Sequence, residues 1–222
     1  MRDVRPAAVA GTFYPGNAAE LAVAVRECLA GTAAPVAPAA SPKALIVPHA
    51  GYVYSGPIAA GAYARLASLR STIRRVVILG PTHRVAVRGL ALPSARAFAT
   101  PLGDVEVDRE AVATLAGLRQ VVVSDSAHAL EHSLEVQLPF LQSVLDDFRI
   151  VPLAVGDASP GEVAEVLDRL WGGPETLVVV SSDLSHFHGY AQAREIDRAS
   201  AERILALDGA LDHEEACGAT PI

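Results

Sequence analysis

Apolar residues arrive along this chain in short unbroken runs, Ala44 to Val47, Val76 to Leu79 and Leu177 to Val180, and each run stops at proline, glycine or serine. Runs that are apolar at every position predict strands buried on both faces, the pattern of a parallel sheet covered by helices. Between them the period changes. Leu21, Val25, Cys28 and Leu29 share one face of a helix predicted over residues 18–30 with Asn17 as its cap, which makes Cys28 a small buried hydrophobe. Pro57 suits the first turn of a helix running to about Leu69, whose Ala59, Ala60, Gly61, Ala62 and Ala64 permit close packing on the sheet. Asp108 caps a helix to about Leu115, residues 120–124 read as a strand, and Leu134, Leu138, Leu141 and Leu145 form a helical stripe kinked at Pro139. A strand over residues 150–155, a helix opened by Ser159-Pro160 and ended near Trp171, and a helix over residues 191–207 complete the series. Residues 31–42 are an Ala/Pro-rich loop. The repeated βα order predicts one α/β domain over residues 1–222, a mostly parallel sheet with helices on both faces.

The ends of the three apolar runs carry the chemistry. Pro48 cannot continue a sheet ladder and Gly51 relaxes the backbone, so His49 is presented at the carboxyl end of a strand. The second run ends in Gly80-Pro81-Thr82-His83 and the third in Ser181-Ser182-Asp183-Leu184-Ser185-His186. In an open α/β sheet that edge is where ligands bind. Three histidines delivered there suggest a metal site with an open position, imidazole being the commonest ligand for zinc, iron and copper. Residues 87–107 look like a hairpin laid over this site.

Other residues extend the picture. His128 and His132 are spaced i, i+4, but Ala129 stands where a His-Glu-x-x-His site needs its glutamate, so a zincin reading is weak. His132-Ser133-Leu134-Glu135 reads as a helix start whose polar first turn faces the pocket, with Glu135 bonding a ligand or the groups behind one. The same residues also simply suit a helix N-terminus, and both readings stand. The three-residue spacing of Asp183 and His186 lets a carboxylate orient an imidazole as general acid or base, or forms an Asx-turn. His188 is expected in solvent. Cys217 precedes a glycine and, beside a metal, would be a thiolate ligand, while Thr220-Pro221 looks like the opening of a further helix.

Composition narrows the function. The chain has 222 residues, 51% of them hydrophobic and 5% aromatic, enough to bury a substantial core without staples. Net charge is −7 with the two signs interspersed, which gives no basic tract for nucleic acid and no polybasic segment for a membrane surface. The expected partner is a small molecule or a peptide. Two cysteines, Cys28 and Cys217, and no export signal predict a reducing, cytoplasmic setting.

Taken in order, Pro48-His49-Ala50-Gly51-Tyr52, Gly80-Pro81-Thr82-His83, Thr100-Pro101-Leu102-Gly103, Glu131-His132-Ser133-Leu134-Glu135-Val136-Gln137-Leu138-Pro139, Ser181-Ser182-Asp183-Leu184-Ser185-His186 and Cys217-Gly218 with Pro221-Ile222 resemble the MEMO family over essentially the whole chain. Its prokaryotic members are called AmmeMemoRadiSam system protein B. The resemblance implies a fold similar to class III extradiol ring-cleaving dioxygenases, which hold iron with two His and a carboxylate. It implies His49, His83 and Cys217 as metal ligands, cysteine replacing that carboxylate. Asp183 and His186 become the acid–base pair behind them, and Tyr52, His132 and Glu135 the remaining pocket residues. The metal expected is iron or copper, with zinc compatible, and the activity that of a metal-dependent oxidoreductase. The alternative is a non-catalytic metal- or peptide-binding module working with radical-SAM and AMMECR-domain proteins. Relatives continue through another helix and a strand, so the resemblance also implies truncation at Ile222.

Overall fold

The computed structural model of the chain describes residues 3–32, 41–208 and 211–222, so most of the Ala/Pro-rich loop lies outside the described residues. In chain order the elements are β1 (Val4–Arg5), α1 (Ala18–Ala30), β2 (Ala44–Val47), α2 (Tyr52–Tyr63), β3 (Arg75–Pro81), β4 (Leu90–Leu92), β5 (Ala97–Thr100), β6 (Gly103–Glu106), α3 (Arg109–Ala113), β7 (Val121–Val123), α4 (Asp125–Ala129), α5 (Leu138–Val144), β8 (Arg149–Val155), α6 (Pro160–Leu170), β9 (Thr176–Ser181) and α7 (Tyr190–Leu205), with 3-10 turns at Ala64–Leu69 and Glu135–Gln137.

The main sheet has six strands in the order β2-β9-β3-β8-β4-β7. Its first four are parallel, and β4 runs antiparallel to β8. β9 lies between β2 and β3, pairing Val47 with Ser181 on one side and Leu79 with Val180 on the other. Val76, Ile78, Leu79 and Val179 are fully buried because apolar layers cover both faces. One layer, with Leu21, Val25, Tyr63 and Phe140, comes from α1, α2 and α5. The other, with Ala111, Val163, Val166 and Leu170, comes from α3 and α6. Each fully buried Val or Leu contributes about 1.5–3 kcal/mol relative to exposure. The α/β expectation holds, with a mixed sheet edge.

The helix starts follow their caps. Asn17 Oδ1 accepts the Ala19 and Glu20 N–H groups, Asp108 caps α3, and Ser159 with Glu162 forms a capping box on α6. Four details differ from the sequence reading. Pro57 lies inside α2, which begins at Tyr52; the carbonyl it leaves without an N–H is that of Val53, whose side chain faces solvent. Pro139 sits in the first turn of α5, where its missing N–H costs nothing, so the stripe from Leu134 breaks into a 3-10 turn and a helix rather than kinking. The expected hairpin forms as β5–β6, in a separate three-stranded sheet with β1. Its turn bonds Gln142 and lies by Asp147 and Arg149, at the amino end of β8, away from the strand ends that carry the histidines. Residues 217–221 form turns rather than opening a helix.

Candidate metal centre

His49, His83 and His132 meet at the carboxyl edge of the main sheet. Each offers one ring nitrogen, and these three atoms lie within 4.8 Å of one another, an arrangement that could hold a metal ion. The rings of His83 and His132 stack at 4.5 Å, and His49 stands edge-on to both. The sequence had placed His132 in the pocket, and the structure makes it part of the cluster itself.

Hydrogen bonds decide which nitrogen each ring presents. Ser181 Oγ donates to the Ser133 carbonyl at 2.6 Å and receives Gln137 Nε2 at 2.8 Å. With its proton engaged there, Ser181 accepts from His49 Nδ1 at 2.9 Å, which leaves the lone pair of His49 on Nε2. Gln137 is itself oriented, since its Oε1 accepts the Tyr63 hydroxyl at 2.8 Å. His83 Nδ1 lies 2.8 Å from Glu131 Oε1, and His132 Nδ1 lies 3.4 Å from the same oxygen. A carboxylate behind an imidazole fixes the ring and raises its basicity toward a metal. Glu131 also accepts the backbone N–H groups of His83, His132 and Ser133. Its carboxyl is buried, which alone would raise its pKa, but the hydrogen bonds from His83 and these N–H groups hold it down at about 2.

Cys217 joins from the carboxyl-terminal segment. Its Sγ lies 3.3 Å from His49 Nε2 and accepts the Asp183 N–H at 3.3 Å. The backbone fixes this approach: Cys217 N–H donates to Asp183 O, and Gly218 N–H to Ser182 Oγ. Burial raises the thiol's pKa, but its contacts with the His49 and His83 rings outweigh it and bring it down to about 5. The same contact with Cys217, followed by that with Glu131, lifts His83 to about 9. Without metal, the site is therefore a thiolate beside an imidazolium. Burial holds His132 near 4, so its ring stays neutral and available.

The remaining predicted residues fall in different places. Asp183 Oδ1 accepts the His49 and Ala50 N–H groups at 2.7 and 3.2 Å, so its carboxylate clamps the loop after β2 instead of orienting His186. His186 is exposed at the rim, close enough to Cys217 to help lower its pKa, and His188 is exposed as expected. Tyr52 belongs to the core: it packs on Tyr14 and Phe140, and its hydroxyl donates to the Val136 carbonyl. Glu135 is fully buried but turned from the histidines, accepting from Arg5, Ala8, Val9 and Tyr14 and so fastening the amino-terminal segment. Glu131, the residue that anchors His83, and Gln137, which donates to the Ser181 hydroxyl behind His49, were not legible as site residues. The signal available was a carboxylate and an amide inside an otherwise apolar stretch, groups that need buried partners. His128 does not share a face with His132: its Nε2 donates to the Ala91 carbonyl on the other side of the loop.

A family model described as Memo-like protein matches residues 5–217 of this geometry-bearing chain. The chain belongs to that family. A MEMO1 family protein of Ignicoccus hospitalis is 41% identical over 221 residues, covering 92% of this chain and 76% of its own length. One from Methanopyrus kandleri is 41% identical over 226 residues, covering 93% and 77%. A third, from Thermotoga neapolitana, is 36% identical over 225 residues, covering 95% and 80%. The Memo-like match begins at Arg5, which bonds Glu135, and ends at Cys217, so it takes in every residue of the cluster.

Proposed function

We propose that this Memo-like protein is a metal-dependent oxidoreductase acting on a small organic substrate, with iron or copper held by His49, His83 and Cys217 and with His132 in reach as a further donor. The observation that carries the reading is the fixed tautomers: Ser181 and Glu131 occupy the Nδ1 side of the imidazoles, so Nε2 of His49 and His83 face a thiolate. Imidazole with thiolate suits iron, copper and zinc, and only the first two supply electron transfer. A bound redox metal would provide that one-electron chemistry. The chain's own residues do the rest. Glu131 and Ser181 keep the rings aligned, Asp183 holds the His49 loop against β9, and His186 exchanges a proton between the site and solvent.

Protein purified without chelators or a His-tag should carry stoichiometric iron or copper, and oxygen uptake with candidate substrates should need that metal. His186→Ala should keep its metal and lose turnover. Metal lost in that variant would make His186 a ligand and remove its proton-transfer role, and zinc alone in the purified protein would sink the redox reading.

The alternative, a metal- or peptide-binding module serving radical-SAM and AMMECR-domain partners, draws support from the site's rim. Phe187, next to His186, and Tyr54, on the first turn of α2 after the His49 loop, are both largely exposed aromatics of the kind peptides bind.

A further inference from the structure

Of the 16 residues of α7 only Ser200 is buried, so apolar packing does little to fix that helix or the segment that follows it. Polar contacts do more. Asp197 Oδ1 accepts the Ser185 N–H at 3.0 Å and so holds the rim loop that carries His186. Further along the helix, Arg203 Nη1 donates to both carboxylate oxygens of Glu215, at 2.6 and 2.8 Å. Both side chains are more than two-thirds buried, which spares this pair much of the screening that surface ion pairs meet. Glu215 belongs to a compact turn. Its Oε2 accepts the Asp212 N–H at 3.0 Å, and Asp212 Oδ1 accepts the Glu214 and Glu215 N–H groups. Ala216 is fully buried, and Cys217 comes next.

The sulfur stays 3.3 Å from His49 Nε2 only if the segment that delivers it is held at both ends. On one side, the Cys217 and Gly218 N–H groups bond Asp183 O and Ser182 Oγ, just past the end of β9. On the other, Arg203 grips Glu215 ahead of the cysteine. We infer that Arg203 is a positioning residue: acting through Glu215, it sets the place of Cys217 beside His49 and with it the access of a thiolate donor to the histidine cluster. Without the guanidinium the turn keeps its internal bonds through Asp212 but loses this tie to α7. The effect on metal rests on the reading of Cys217 as a ligand, whereas the placement of the sulfur does not.

Amide hydrogen exchange of the full chain, kept metal-free with a chelator and read by NMR, reports the placement through the Cys217 and Gly218 N–H groups. In Arg203→Gln and in Glu215→Gln these two should exchange about fivefold faster, the loss expected of one partly buried ion pair. Val77 and Val179, in the central strands, should keep their protection. The double variant should be no faster than either single one, because the pair acts as a unit. Arg198→Gln, which removes an exposed charge from the same helix, should exchange like the parent protein. Unchanged amides in Arg203→Gln, additive effects in the double variant, or equal acceleration in Arg198→Gln would each overturn the inference. Titration with cobalt(II), whose charge-transfer band reports a bound thiolate, tests the effect on metal, and affinity should fall in step with the faster exchange. Faster exchange with unchanged cobalt affinity would uphold the positioning role and remove Cys217 from the ligands.

Discussion

At Cys217 the fold does two things to one sulfur: it buries the atom and surrounds it with donors. The donors win, and the thiol ionises near pH 5, whereas burial and the neighbouring Glu27 raise the pKa of Cys28. A thiolate reacts with alkylating agents and a thiol does not. In metal-free protein at pH 6.5, iodoacetamide should therefore label Cys217 about tenfold or more faster than Cys28, and bound metal should suppress only the Cys217 reaction. Cys217→Ser should weaken binding of a soft metal more than Cys28→Ser does. Equal labelling of Cys217 with and without bound metal would show that it is not a ligand. The histidines of this site were readable from sequence because each follows an apolar run cut off by Pro, Gly or Ser, a local signal. Glu131 takes the pocket role expected of Glu135, and this was hidden because the partners are remote: His83 lies 48 residues from Glu131, and Arg5 lies 130 residues from Glu135. Nothing in the spacing of the two glutamates says which one turns toward the histidines.

Among the elements, the close approach of β3 to the 131–135 loop matters most for the site. A Cβ on Gly80 would stand 2.7 Å from Ser133 Oγ and 3.0 Å from Leu134 Cδ2. Ser133 cannot retreat, since its hydroxyl donates to the Pro81 carbonyl and its own carbonyl receives Ser181. Gly80→Ala should destabilise the protein by roughly 1–3 kcal/mol, as overpacked cores do, and should also lower metal affinity by parting His83 from Glu131. Urea melts and metal titration of the same variant would test both, and an unchanged affinity would mean that the loop moves without its histidines. The strands and most helices were legible because their burial is set by local apolar runs and by caps such as Asn17 and Ser159. The pairing of β4 with β8 and the placing of β5–β6 were not, because three- and four-residue strands carry too little pattern to name their neighbours.

For the whole molecule, the titrating groups set a pH profile for the metal-free form. Between pH 6.5 and 9 the folded site keeps one proton on His83 and none on Cys217, while the unfolded chain keeps one on the thiol and none on the imidazole. The proton counts match, so this pair gives no slope there. Below pH 6.5 the unfolded histidines take up protons first, because His128 and His132 stay neutral in the fold until about pH 4. Stability should fall from there. It should fall further below pH 4.5, as the unfolded carboxyl of Glu131 protonates and the folded one, with a pKa of about 2, does not. Urea midpoints measured with chelator at pH 8, 7, 5 and 3.5 should be level across the first two and decline across the rest. A level profile down to pH 3.5 would contradict the buried neutral histidines.

The central position of β9 also governs how the chain comes into being on the ribosome. Ala44 in β2 must wait for Val178, and Val76 in β3 for Leu177, because the strand that joins them is made after both, more than 90 residues beyond β3. Until residues 176–181 have left the exit tunnel, β2 and β3 each present an unpaired inner edge, the surface most prone to pairing with another chain. Contacts this distant in sequence make folding slow. A nascent chain arrested at residue 170 should therefore be protease-sensitive and bound by chaperones, and one extended past residue 200 with a linker should not.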